Sequence, residues 1–208
     1  MLENFQVNSL DYSKPLRLYA DVDGVLSPFF RTSEEQRSHT PQQLISVQRF
    51  NAVGPSDYNF EWIEFVAQKF SEWSKHPAVD FVWLTSHNAN APSVIDPLLD
   101  IESLGYLPWA QKMSDHTQVF KGRAIEDDQQ EKPSDFIWID DMANIRRNGE
   151  PLFIDWDNSD EDYDDEGNVI GIVESIPSSR YLAVTPDGYV GLSLADISRI
   201  DSFIQDRS

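Results

Sequence analysis

Short apolar runs alternate with amphipathic stretches along this chain. Leu16-Arg17-Leu18-Tyr19-Ala20, Phe81-Val82-Trp83-Leu84, Phe136-Ile137-Trp138-Ile139, Pro151-Leu152-Phe153-Ile154 and Tyr181-Leu182-Ala183-Val184 have the composition of strands. Continuous apolar runs of this length suit strands buried on both faces, as in a parallel sheet. Within Phe60 to Trp73, the residues Trp62, Ile63, Val66, Phe70 and Trp73 recur at helical spacing, with Asn59 as N-cap and Pro77 beyond the end. Gly122 to Gln130 reads as a shorter, more polar helix. Ser193 is placed to cap a last helix, with Leu194, Ile197, Ile200 and Ile204 on one face. Strands alternating with helices build βαβ units, so the expected fold class is α/β with a doubly wound open sheet.

Three stretches stand outside that alternation. Residues 1–15 are polar and end at Pro15, which reads as a loose lead-in. Ser27 to Ser56 is irregular and polar, directly after the first strand. Asp155 to Ser179 carries a dense acidic run and then Gly167, Gly171 and Pro177. No repeat or linker divides the chain. The expectation is one domain over residues 1–208, with a small insert at about 27–77 and an acidic loop at about 155–179. The insert is too short for a large lid and its helix is expected to join the sheet layer, which leaves the site fairly open.

Composition narrows the chemistry. A chain of 208 residues with six Trp and twelve Phe can bury a core of ordinary size, and Trp62, Trp73, Trp83 and Trp138 are assigned to it. The absence of Cys excludes disulfides, thiolate metal sites and cysteine nucleophiles. The N-terminal sequence has no basic start and no apolar core of a signal peptide. No apolar run approaches the roughly 20 residues needed to span a bilayer, so a cytoplasmic protein with no membrane partner is expected. The formal charge of -20 repels phosphate backbones and anionic membranes at long range and favours divalent cations. No Walker A sequence, GxGxxG or serine-nucleophile elbow occurs.

The chemistry-bearing residues fall at strand ends. In open α/β sheets, ligands sit beyond the carboxyl ends of the strands. The first strand runs into Asp21 and Asp23, the second into Thr85, and the third into Asp140 and Asp141. Alternation at an extended strand end puts Asp21 and Asp23 on one side, and Gly24 allows a tight departure. Carboxylates this dense repel one another unless a cation is present, and oxygen-only donors beside phosphate suit magnesium. One carboxylate can then attack phosphorus while a second moves the proton. A hydroxyl and an ammonium should hold the phosphoryl oxygens, and Thr85 and Lys121 are the candidates. Lys112 and Lys132 are alternatives for the ammonium, although Lys132 leaves little room for the helix before the third strand.

These motifs resemble those of the haloacid-dehalogenase (HAD) superfamily. Tyr19-Ala20-Asp21-Val22-Asp23-Gly24-Val25-Leu26 resembles the first motif, Phe81 to Thr85 the second, Lys121 the third, and Phe136 to Asp141 the fourth. Within the superfamily, the wording is closest to small actinobacterial and phage-type domains found in RNA-repair contexts. The cues are Val82-Trp83-Leu84-Thr85-Ser86, Ala89-Asn90-Ala91, Ile137-Trp138-Ile139-Asp140-Asp141 and Gly191-Leu192-Ser193.

The resemblance implies a Rossmannoid three-layer sandwich with a parallel five-stranded sheet and a small cap or none. It implies a magnesium-dependent phosphatase acting through an aspartyl-phosphate. Asp21 would be the nucleophile and Asp23 the general acid/base, with its backbone carbonyl on the metal. Asp140 would bind magnesium and Asp141 would assist. Thr85 and Lys121, with Ser86 beside them, would bind the phosphoryl group. The substrate would be a small phosphate ester or a phosphorylated nucleic-acid end.

Each feature also has an ordinary explanation. A DxDG sequence is commonly a turn, and an Asp pair after a strand or a lone Thr is commonly a helix cap. His87 follows Thr85 closely enough to reach the site, although a surface or capping role is the more ordinary reading, and Arg146 and Arg147 suit a solvated face as well as a phosphate contact. Asp155, Asp157, Ser159 and Glu166 have the spacing of a calcium loop, but Asp160 stands where its glycine belongs. The rival to an enzyme is an acidic interaction protein that imitates a nucleic-acid backbone. Phosphotransfer to an acceptor other than water would use the same residues.

Overall fold

A computed structural model describes residues 10–29, 45–50, 58–108, 121–141, 144–145, 151–152 and 181–207. In chain order the elements are β1 (Leu16–Ala20), β2 (Ile45–Phe50), β3 (Tyr58–Ile63), α1 (Glu64–Ser74) and β4 (Val79–Trp83). A π-helical turn, Ala91–Ile95, leads into α2 (Asp96–Leu99), followed by α3 (Lys121–Glu131) and β5 (Asp135–Ile139). Then come β6 (Asn144–Ile145), β7 (Pro151–Leu152), β8 (Tyr181–Val184) and α4 (Leu194–Gln205). Strands β4, β1, β5 and β8 form one parallel sheet in that order.

The apolar runs are buried on both sides, and alternation divides them between two cores. Leu16, Leu18 and Ala20 of β1, Phe81 and Trp83 of β4, and Ile137 and Ile139 of β5 face one side. There they meet Val66, Phe70 and Trp73 of α1 and Ile197, Ile200 and Ile204 of α4. Tyr19, Val82, Phe136, Trp138 and Ala183 face the other side, against Ile125 of α3 and Tyr12. Helices on both faces of a parallel sheet make the three layers expected. Trp62, Trp73, Trp83 and Trp138 are all buried, as assigned.

The polar side of α3 is held by a buried network. Arg17 lies on the α3 side of β1, paired with Asp128 at 2.6 Å and covered by the Tyr12 ring at 3.6 Å. Asp128 also accepts from the hydroxyls of Tyr12 and Tyr19. A buried guanidinium is tolerable only with such pairing. Residues 10–15 are therefore no loose lead-in. Asp80, itself buried, accepts from the amides of Ser13 at 2.7 Å and Lys14 at 2.8 Å.

Four local expectations are corrected. The helix expected from Phe60 begins at Glu64, because Tyr58–Ile63 pairs with Ile45–Phe50 as an antiparallel hairpin. Asn59 is paired opposite Arg49, and the N-cap is Ile63, which makes no side-chain cap bond. Strand β2 lies inside the stretch read as irregular. Pro151–Leu152 pairs with Asn144–Ile145 in a separate ribbon, so the sheet has four strands among the described residues, not five. Proline lacks the N–H that an inner strand must donate. Phe153 and Ile154 lie outside the described residues, as does the acidic run at 155–179.

Ser193 caps α4 as expected, in a reciprocal capping box with Asp196. Leu194 does not join the buried face and is 64% exposed. No helix among the described residues is long and apolar enough to cross a membrane.

Candidate active site

The register of the sheet brings four strand ends level. Ala20 stands opposite Trp83 on one side and Ile139 on the other, and Ile139 stands opposite Val184. The residues that follow are Leu84, Asp21, Asp140 and Thr185. The Asp21 amide donates to the Ile139 carbonyl at 2.9 Å, and the Asp140 amide to the Val184 carbonyl at 3.1 Å. Asp21 and Asp140 are thus fixed by the sheet's own ladder as their carboxylates leave it. The chain turns at once, since the Val22 carbonyl accepts from the amides of Val25, Leu26 and Ser27.

Lys121, the first residue of α3, reaches between the two. Its Nζ donates to Asp140 Oδ2 at 2.8 Å and to Asp21 Oδ2. Asp21 Oδ1 accepts from the Val22 amide at 2.7 Å. Burial alone would lower the lysine's proton affinity, but the charges of Asp21 and Asp140 outweigh it and hold the ammonium protonated. Lys132, the alternative, is engaged on the Tyr12 carbonyl in the second core. Lys112 lies outside the described residues.

Asp141 completes a cluster. One oxygen each of Asp21, Asp140 and Asp141 lie within 4.8 Å of one another. Burial, and then the charge of Asp21, push the Asp141 carboxyl up to about 6. The backbone makes room for this group. Gly24, at φ +71, and Gly188 both face it, and a Cβ on Gly188 would lie 2.5 Å from Asp141 Oδ2. Three carboxylates and one ammonium leave two uncompensated negative charges. Hard oxygen donors with that charge fit a divalent cation.

Thr85, fully buried, follows the residue whose amide donates to the Ala20 carbonyl at 2.8 Å, so it stands beside the Asp21 strand end. Its hydroxyl accepts weakly from the His87 amide at 3.4 Å. Ser86 Oγ donates to Asp23 Oδ2 at 3.3 Å, and His87 Nε2 lies 3.3 Å from Asp23 Oδ1. The carboxylate of Asp23 is therefore turned to this loop and is not a member of the metal-sized cluster. Burial raises Asp23, but the His87 bond and field, the Ser86 hydroxyl and Lys121 outweigh it and hold the carboxyl below its usual range.

All seven sequence candidates, Asp21, Asp23, Thr85, Ser86, Lys121, Asp140 and Asp141, thus gather at one edge of the sheet. Two further contributors stand beside these seven. His87, which the sequence places within reach of the site but favours for a surface or capping role, is engaged with Asp23. Gly188 was not singled out, although Pro186-Asp187-Gly188 carries turn chemistry directly after β8. Arg146 and Arg147 lie outside the described residues, and so do the calcium-loop positions.

Residues 17–159 match the family model of the HAD domain in Swiss Army Knife RNA repair proteins. No curated protein and no solved structure matches the chain.

Proposed function

Since the chain belongs to the family of HAD domains in Swiss Army Knife RNA repair proteins, we propose that it is a magnesium-dependent phosphomonoester hydrolase whose nucleophile is Asp21. The observation that carries this reading is Lys121 held between the buried carboxylates of Asp21 and Asp140, with Asp141 beside them. Packing an ammonium among carboxylates at a sheet's carboxyl edge costs desolvation, and it serves a phosphoryl group better than it serves stability. An acidic mimic of nucleic acid needs a negative surface but no such buried cluster.

Asp21 attacks phosphorus as the bond to the leaving oxygen breaks. Asp23, ionised in the free site, takes up a proton as the phosphate dianion enters, since that charge opposes the His87 and Lys121 field that holds the free carboxyl low. Asp23 gives this proton to the leaving oxygen, so an alcohol departs and an aspartyl-phosphate remains on Asp21. Asp23, now a carboxylate, takes a proton from water, whose oxygen attacks phosphorus. The bond to Asp21 breaks, phosphate leaves, and both carboxyl groups return to their starting states. Lys121 and Thr85 hold the phosphoryl oxygens, with Ser86 at the edge of the site. Asp21, Asp140 and Asp141, with the Asp23 backbone carbonyl, would hold the magnesium ion. When bound, it neutralises charge on the attacking carboxylate and the phosphoryl group.

The substrate class is a small phosphate ester or a phosphorylated nucleic-acid end. A terminal phosphomonoester can turn its oxygens to Lys121, and a net charge of -20 disfavours docking along a duplex. The test is phosphate release with magnesium from sugar phosphates, nucleotides and oligonucleotides bearing terminal phosphates. Magnesium-dependent release from at least one class is expected, and release from none overturns the reading.

A further inference from the structure

Asp23 is gripped from a different strand than the one that carries it. Its carboxylate meets Ser86 through Oδ2 and His87 through Oδ1, both at 3.3 Å. The two grips differ in firmness. Ser86 is exposed to solvent, which competes for its hydroxyl. The His87 side chain is only 13% exposed, and the chain around it is locked. The His87 amide faces Thr85 Oγ1, and the Asn88 amide donates to the Thr85 carbonyl at 3.2 Å. The Asn90 amide closes on the His87 carbonyl at 3.0 Å. Asn88 sits at φ +47, a conformation that a non-glycine residue adopts at a cost and that here sets the direction of the turn.

A carboxyl group can act as acid or base only when one oxygen faces the reacting atom, and rotation about its Cβ–Cγ bond defeats that. Anchoring one oxygen to a fixed ring stops the rotation and leaves the other to serve the leaving group. We propose that His87 is the positioning residue for Asp23, holding Oδ1 so that Oδ2, released by Ser86, faces the leaving oxygen. This rests on the proposed function, in which Asp23 is the acid/base. His87 acts through Asp23.

The role has a signature that simple structural support lacks. General-acid help matters for a poor leaving group and little for a good one. His87→Ala should therefore lower kcat on an alkyl phosphate about tenfold or more, with KM little changed. On an aryl phosphate with an acidic phenol the loss should be under about threefold. His87→Gln, which keeps an N–H near the Nε2 position, should recover most of the loss. Equal losses on both esters, or none on the alkyl ester, would overturn the proposal.

A second readout is independent of turnover. The Asp23 side-chain rotamer, read from crystal structures of wild type and His87→Ala, should be single in wild type and split in the variant. An unchanged single rotamer in the variant would also overturn the proposal. If wild type hydrolyses neither ester, the proposed function fails, while the rotamer still decides whether His87 holds Asp23.

Discussion

A single hydrogen atom on Gly24 separates the backbone from the Asp141 side chain. A Cβ built on Gly24 would lie 2.8 Å from Asp141 Cβ and closer still to its carboxyl group. Gly24 also holds φ +71, where an L side chain is strained by about 1–2 kcal/mol. Gly24→Ala should therefore lower the melting temperature and push Asp141 out of the cluster. Thermal melting with and without magnesium checks both. The expected variant still folds but has lost most of the magnesium-induced shift; a full shift would show that Asp141 has no part in the metal site.

Asp140 is fully buried and bridged to Lys121, so its replacement tests the ligand set from the other side. A ligand that binds only the folded state stabilises it by about 2.7 kcal/mol at a hundred times its dissociation constant. At the magnesium concentration giving that shift in wild type, Asp140→Asn should show almost none. A shift of wild-type size would remove Asp140 from the metal site.

The raised Asp141 carboxyl makes metal-free stability depend on pH. Its folded value of about 6 lies above the ordinary 3.8, so the folded protein keeps a proton that the unfolded chain has released. The stability this supplies is fully present below pH 3.8 and is lost as pH rises through about 6. Without metal, Asp141→Asn should melt like wild type near pH 4 and higher than wild type at pH 7. The difference should grow up to about pH 6 and then level off. A difference independent of pH would contradict the origin given for the shift.

Much of this was legible in the sequence because the signals were strong and local. Four of the five apolar runs are strands of the one parallel sheet, and the acids that follow β1 and β5 fall at one edge of it. Ser193 and Asp196 announce α4 by a reciprocal cap. The start of α1 was not legible, because Ile63 provides no cap while Asn59 offers a false one. The alternation Tyr58, Phe60, Trp62 signals the strand, but it overlaps the helical spacing that begins at Trp62. Leu194 was misplaced because a residue in the first turn of a helix need not share the face of the turns that follow. The engagement of His87 with Asp23 joins residues 64 positions apart and depends on a turn that spacing does not encode. The room that Gly188 leaves for Asp141 is likewise a tertiary fact.

The central claim is that Asp21 carries the reaction as nucleophile, and Asp21→Asn addresses it with the least change of shape. The asparagine keeps an oxygen for the Val22 amide but lacks the charge that attacks phosphorus and pairs with Lys121. The measurement is phosphate release by both proteins with magnesium, on the best substrate found, with folding confirmed by melting. Turnover in the variant should fall at least about a thousandfold. Comparable hydrolysis by the variant and wild type would contradict the assignment of Asp21 and the mechanism built on it.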